Sequence, residues 1–332
     1  MAVRSSASNE DTAAASGAGQ HDSFLGVQGI DAVLDAVRAC RESLWSARAT
    51  SYRGDVPTPQ MAVIIQCHID ADVSGVMFTE LNGPTLIESS WGLGPTVVEG
   101  RITPDQYEVT TTVTRTIADK PTALHRAGAH LETCAVPEAQ RRTPTLTDAT
   151  AQRLATLGHR AAAVFESPQD IEWAIADDTI WLLQARPITA HLPTNPRGHE
   201  PTGAPAHAPT SPAYAGPTGP STAAASRAVL LTGIPGSHGT ATGPARIVRG
   251  PADFAYVRPG DILVCPHTDP AWTPLLSIAA GVITESGGLL SHAAIVAREQ
   301  GIPAVLAVPE ATTQLTDNTP TTINGSKGTV NT

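Results

Sequence analysis

A 36-residue stretch, Ala190 to Ala225, constrains this chain more than any other feature. It reads AHLPTNPRGHEPTGAPAHAPTSPAYAGPTGPSTAAA, with eight prolines, four glycines, and only Leu192 and Tyr214 as large apolar side chains. Such a segment cannot bury enough apolar area to offset the entropy of ordering it, so it is expected to be a flexible linker. As a random coil it would span roughly 33 Å, and as extended polyproline about 110 Å. The 332 residues therefore divide into 1–189, a linker 190–225, and 226–332. At about 150 residues per domain, two domains are expected, the second free to travel relative to the first.

Charge and composition narrow the partners. The chain carries 21 Lys+Arg against 31 Asp+Glu, a net charge of −10, which disfavours a nucleic-acid phosphate backbone as partner. No apolar run approaches the roughly 18 residues of a membrane span, so no membrane partner is expected. The first twenty residues lack the apolar core of a secretion signal. Cys40, Cys67, Cys134 and Cys265 show no C-x-x-C spacing, so neither a zinc site nor a disulfide framework is indicated, and a cytoplasmic location is expected. Lysine occurs only at Lys120 and Lys327.

The first block reads as α+β. Ala32, Val33, Val37, Cys40 and Leu44 fall at helical spacing within Ile30 to Ala49, while Met61 to Gln66, Val73 to Thr79 and Leu86 to Trp91 are apolar runs of strand length. Asp170 to Pro187 (DIEWAIADDTIWLLQARP) predicts a hairpin. Centred on Asp178, it pairs Ala176 with Ile180, Ala174 with Leu182, and Glu172 with Gln184. One face, with Ile171, Trp173, Ile175, Trp181, Leu183 and Ala185, is expected to be core. The other carries Glu172, Gln184 and Arg186. Two opposed oxygen donors about 5 Å apart can share a hard cation such as Mg²⁺, and an arginine one pleat on can hold a phosphate. The same pattern also suits a solvated hairpin face.

The second block opens on a Gly-rich stretch, Thr232 to Gly243, followed by short strand-like runs at Pro244 to Arg249, Asp261 to Cys265 and Gly281 to Thr284. Gly287-Gly288 then marks a turn, Ser291 an N-cap, Ala293 to Gln300 a helix, and Gly301 with Pro303 its stop. His292 heads that helix and is expected to face solvent. Unpaired N–H groups and the positive dipole end there attract phosphoryl oxygens and favour a neutral, nucleophilic imidazole. A purely structural histidine is the alternative.

The run from Gly287 to Val305 (GGLLSHAAIVAREQGIPAV) resembles the phosphohistidine, or swivelling, domain of phosphoenolpyruvate-utilising enzymes, as do GDILVCPHTDPAWTPLL and INGSKGTV around it. The resemblance covers about 100 residues and places the phosphorylated histidine on His292. The first block resembles the ATP-grasp domain of phosphoenolpyruvate synthases, pyruvate phosphate dikinases and rifamycin phosphotransferases. The matching stretches include AVRSSASNED, MAVIIQCHIDADVSGVMFT, ESSWGLGPTVVEGRITPDQY and PQDIEW with WLLQARPIT. The resemblance implies that Arg4 binds phosphate, Ser23 stands where a nucleotide-contacting threonine is usual, and Gln66 lies near the adenine. It also implies that Glu172 and Gln184 hold Mg²⁺ and Arg186 touches the phosphates.

The fold class implied is α+β with α/β: a partial ATP-grasp domain joined by a Pro-rich linker to a β/β/α phosphohistidine domain. In such enzymes MgATP gives its β,γ-diphosphoryl group to the histidine and releases AMP. Phosphate then leaves, and the mobile domain carries phosphohistidine to an acceptor such as pyruvate. The family's glycine-rich, lysine-bearing half and its acceptor domain have no counterpart in these residues. A phosphotransferase component completed by a partner chain is expected, weak in ATP binding by itself and prone to homo-oligomerise through the edge at Met1 to Arg4. A phosphohistidine carrier module and a catalytically degenerate remnant are the alternatives.

Overall fold

The computed structural model describes residues 1–8, 10, 20–46, 49–50, 58–81, 83–189, 192 and 230–332. Apart from Leu192, the stretch expected to be the linker lies outside the described residues. The fold is mixed α and β throughout.

In the first block, β1 (Ala2–Ala7) lies between β2 (Ser23–Phe24) and β3 (Met61–Gln66) in a small antiparallel sheet. Helix α1 (Ile30–Glu42) covers one face, burying Ala36 and Cys40 against Val3. The helix ends earlier than its apolar spacing suggested, giving way to a 3-10 turn at Ser43–Trp45.

The main sheet of this block is antiparallel, in the order β11-β10-β4-β5-β6-β7. Its strands are β4 (Val73–Thr79), β5 (Thr85–Trp91), β6 (Asp105–Val109), β7 (Val113–Thr116), β10 (Gln169–Ala176) and β11 (Thr179–Pro187). A separate hairpin pairs β8 (Thr122–Ala127) with β9 (His130–Ala135). Helix α2 (Asp148–Phe165) packs Ala151, Leu154 and Ala155 onto one sheet face, over Met77, Ile87, Tyr107, Ile171 and Trp173. Thr147 caps it by accepting from the N–H of Thr150. Helix and sheet approach so closely that a Cβ on Gly158 would lie 2.3 Å from the Thr79 hydroxyl.

The β10–β11 hairpin corrects the expected register near its turn. Ala176 pairs with Thr179 and Ala174 with Trp181, one residue off the spacing centred on Asp178. Asp177 and Asp178 both have positive φ, 48° and 58°, as a two-residue type I′ loop requires, and that loop matches the twist of the strands. An irregularity between Glu172 and Trp173 restores the expected pairing, so Glu172 does face Gln184. Trp181 is a second correction: it is exposed, whereas Ile171 and Trp173 are core.

The second block is an eight-stranded mixed sheet, ordered β12-β19-β18-β14-β15-β16-β17-β13. Its parallel centre comprises β14 (Thr240–Ile247), β15 (Ile262–Cys265), β16 (Gly281–Thr284) and β17 (Ala304–Leu306). The edges are β12 (Leu230–Thr232) and β13 (Ile234–Ser237), with β18 (Pro320–Asn324) and β19 (Thr329–Asn331) between β12 and β14. The Gly-rich opening is thus strand. A Cβ on Gly233 would meet the Leu306 carbonyl at 2.2 Å, so the glycine permits close backbone approach. Helix α3 (His292–Gln300) lies on this sheet, stopped by Gly301 at φ 66°. Six consecutive residues, His292 to Ala297, are buried, so the helix is covered on more than one side.

Candidate active site

Strand pleating sets the site. In the main sheet, one row of paired residues runs Gln184, Glu172, Val76, Glu88, Gln106, Thr116 across all six strands. Its neighbour two residues on includes Arg186, Asp170, Phe78 and Leu86. Paired residues share a face, so these side chains all lie opposite the α2-covered face.

Arg4 reaches this face from β1. Its guanidinium donates to Gln184 Oε1 and lies 3.4 Å from Glu172 Oε2. The structure therefore gathers Arg4, Glu172 and Gln184 around one point, with a cation beside two hard oxygen donors. Arg186 follows one pleat later, donating from Nε to Asp170 Oδ2 at 2.7 Å. Ser23 is directly across from Arg4, and Gln66 pairs with Ala2 on the same face of the small sheet. Neither belongs to the hydrogen-bonded set that joins Arg4, Glu172 and Gln184.

Asp170 was missed by sequence reasoning. Burial pushes its carboxyl above the usual range, against the opposing pull of Arg186. Its signal was present as an acid two residues before Glu172, which alternation puts on the same face.

The second block rests on this same sheet face. Leu290 and Ile295 pack into one apolar cluster with Val76, Phe78, Val97 and Ile102. The Ser286 hydroxyl donates to the Gly100 carbonyl at 2.6 Å, and the Thr189 hydroxyl to Glu299 at 2.6 Å. Gly287, at φ 105°, lies against Gly100. The two glycines therefore serve close approach between the blocks as well as turning the chain.

His292 is the first residue of α3. Ser291 precedes it, yet its side chain does not cap the helix; the hydroxyl donates back to the Gly288 carbonyl at 2.8 Å. Contrary to the expected solvent-facing position, His292 is only 3% exposed. Two hydroxyls flank its ring: Thr268 Oγ1 is 2.9 Å from Nδ1 and Thr273 Oγ1 is 3.2 Å from Nε2. Both threonines come from the loop and short helix after β15, positions with no periodicity to mark them. Nearby His267 is held below the usual histidine range by burial and by Arg101 of the first block.

Among the described residues, no group of three or more His, Cys, Asp or Glu forms a ready-made metal cage. No helix of the described residues is long and apolar enough to cross a membrane.

Two family models match the chain, the first running past residue 189 into the stretch expected to be a linker. Residues 1–202 match the family described as pyruvate phosphate dikinase, AMP/ATP-binding domain, and residues 257–328 match the PEP-utilising enzyme, mobile domain. Similar relatives include a probable phosphoenolpyruvate synthase of Methanothermobacter thermautotrophicus, 38% identical over 99% of this chain and 46% of the relative. The phosphoenolpyruvate synthase of Aeropyrum pernix is 36% identical over 99% of this chain and 44% of its own length. A probable phosphoenolpyruvate synthase of Archaeoglobus fulgidus is 34% identical, over 99% and 43%. The chain thus spans less than half the length of these relatives. With one family model matching residues 1–202 and the other residues 257–328, this chain belongs to the phosphoenolpyruvate-utilising enzyme family.

Proposed function

We propose that this chain is the ATP-using and phosphohistidine-bearing part of a phosphoenolpyruvate synthase-type phosphotransferase. On this reading, residues 1–189 are part of an ATP-grasp domain and residues 226–332 a mobile domain that carries phosphate to pyruvate or another small acceptor. The observation that carries the proposal is spatial: the face gathering Arg4, Glu172, Gln184 and Arg186 is the face on which the His292 helix packs.

The residues fit MgATP. Mg²⁺ takes few protein ligands and completes its shell with water and phosphate oxygens. One carboxylate and one amide oxygen, from Glu172 and Gln184, suit that role. Bound there, the ion would neutralise phosphate charge. Arg4 and Arg186 supply fixed cations for the phosphate oxygens, Arg186 oriented by Asp170. Positioning and charge neutralisation of this kind provide most of the catalysis in phosphoryl transfer.

The nucleophile is His292. In the tautomer that donates Nδ1–H to Thr268, Nε2 carries the lone pair and accepts from the Thr273 hydroxyl, which would have to turn its hydrogen from Nε2 to a phosphoryl oxygen for attack. Attack forms the N–P bond to the β-phosphorus and breaks its bond to the α-phosphate oxygen, releasing AMP. Water then removes the terminal phosphate. The covalent step divides one difficult transfer into two. Because the relatives are more than twice as long as the matched region, the remaining parts of the reaction are assigned to residues outside this sequence, on the same chain or on a partner. The expected self-association through an edge at Met1 to Arg4 is corrected: β1 is hydrogen-bonded on both sides, to β2 and β3, and Ala2 and Val3 are buried, so it offers no free strand edge.

The test uses ATP labelled at the β-phosphorus, Mg²⁺, and the N-terminal half of a longer relative's ATP-binding domain added in trans. Label should enter this chain, and Glu172→Gln or Arg4→Ala should each suppress it at least tenfold. Incorporation that ignores both substitutions would refute the assigned nucleotide site.

A further inference from the structure

Glu88 is the most buried charged group between the two blocks that the phosphotransfer reading does not use. It sits in the middle of the main sheet, 1% exposed. Its two oxygens are taken by consecutive backbone amides of the second block: Leu289 N–H to Oε1 at 2.6 Å and Leu290 N–H to Oε2 at 3.0 Å. Leu290 stands two residues before His292. The loop comes so close that a Cβ on Gly288 would lie 2.4 Å from both carboxylate oxygens. Arg298 of α3 faces Glu88 and braces the same loop, donating to the Leu289 carbonyl at 2.8 Å. A carboxyl group whose two oxygens each accept from one of two successive amides, beside a glycine pair, is a geometrically specific grip.

We propose that Glu88 is a positioning residue: it latches the loop leading into the His292 helix and so fixes where the histidine stands over the nucleotide-binding face. The proposal rests on the phosphotransfer reading for its purpose, but the latch itself is a property of docking. A loop held at Leu289 and Leu290 leaves His292 little freedom relative to Glu172 and Arg4, and so favours one orientation of the ring.

Proton linkage gives the latch a signature. Burial pushes the Glu88 carboxyl from 4.5 up to about 7, with the two amides, Arg298 and Gln106 pulling the other way. A released Glu88 returns to the ordinary value, so docking takes up a proton. Its contribution to docking is fully present below pH 4.5 and is lost as pH rises through about 7. The full change is about 300-fold in the docking equilibrium. Of the other groups at the interface, Asp170 faces Arg298, while His267 faces Arg101 and Asp269. Comparison with Glu88→Gln, which cannot titrate, isolates the share of Glu88.

The experiment is amide exchange on the full chain without nucleotide, corrected for intrinsic chemical rates, from pH 5 to 8. Leu289 and Leu290 should lose at least tenfold protection in Glu88→Ala, with Val282 and Ile283 inside β16 unchanged. Wild-type protection at Leu289 and Leu290 should fall as pH rises, and Glu88→Gln should flatten that slope. Unchanged protection in Glu88→Ala, or a wild-type slope in Glu88→Gln, would overturn the proposal. Since no nucleotide is present, this outcome is independent of whether His292 accepts phosphate.

Discussion

Gly288→Ala should separate the two blocks while leaving each folded. Gly288 does not have positive φ, so alanine is compatible with the loop's own backbone. The obstacle is Glu88, whose carboxylate oxygens would lie 2.4 Å from the new Cβ. Reaching an ordinary contact of about 3.4 Å requires a retreat of about 1 Å. That retreat carries the amide bonds, now 2.6 and 3.0 Å, to about 3.6 and 4.0 Å, beyond useful hydrogen-bond range. Each such hydrogen bond contributes about 0.5–1.5 kcal/mol, and leaving its buried partners unsatisfied costs about 1–3 kcal/mol more. Allowing for partial relaxation and recovered hydration of Glu88, docking should weaken by about 3 kcal/mol, or roughly 150-fold. Small-angle scattering should show an increased radius of gyration, while unfolding of the second block stays within about 0.5 kcal/mol of wild type. An unchanged radius, with docking intact, would refute the reasoning from steric contact.

Two further substitutions probe the hairpin that carries the site. Asp170→Ala leaves Arg186 with 12% of its side chain exposed and without its carboxylate, so urea unfolding should report a loss of about 2–3 kcal/mol, below the cost of breaking a fully buried pair; a loss under about 0.5 kcal/mol would contradict this. Replacing the turn by Asn and Gly (Asp177→Asn with Asp178→Gly) removes one non-glycine residue from positive φ and puts at the other the asparagine that a type I′ turn favours, and should raise stability by about 0.5–1 kcal/mol. A lower urea midpoint would show that the aspartates serve some contact beyond the turn.

Strands such as Met61–Gln66 and Val73–Thr79 were legible because their apolar, β-branched runs end sharply at polar or turn residues. Glu172 opposite Gln184 was legible for the same reason that the turn was not: alternation fixes faces, but the turn register depends on whether Asp177 and Asp178 accept positive φ and on an irregularity that no spacing announces. Glu88 gave no signal, because a single acid within IESSW reads as the solvent side of a strand until a second block is laid on it. The clearest unread clue was α3 itself. Its opening run HAAIVA has no polar face, the mark of a helix buried on several sides, and that burial also explains why His292 is enclosed.

The most direct measurement of the central claim is the position of the phosphate. With a phosphoryl donor system supplied, peptide mapping under alkaline conditions should find an acid-labile, base-stable phosphate on His292 and on no other histidine, since among the described residues only His292 combines a helix N-terminus with flanking hydroxyls at both ring nitrogens. His292→Ala should abolish the label. Label that persists in His292→Ala, or that maps to His238 or His267, would contradict the account.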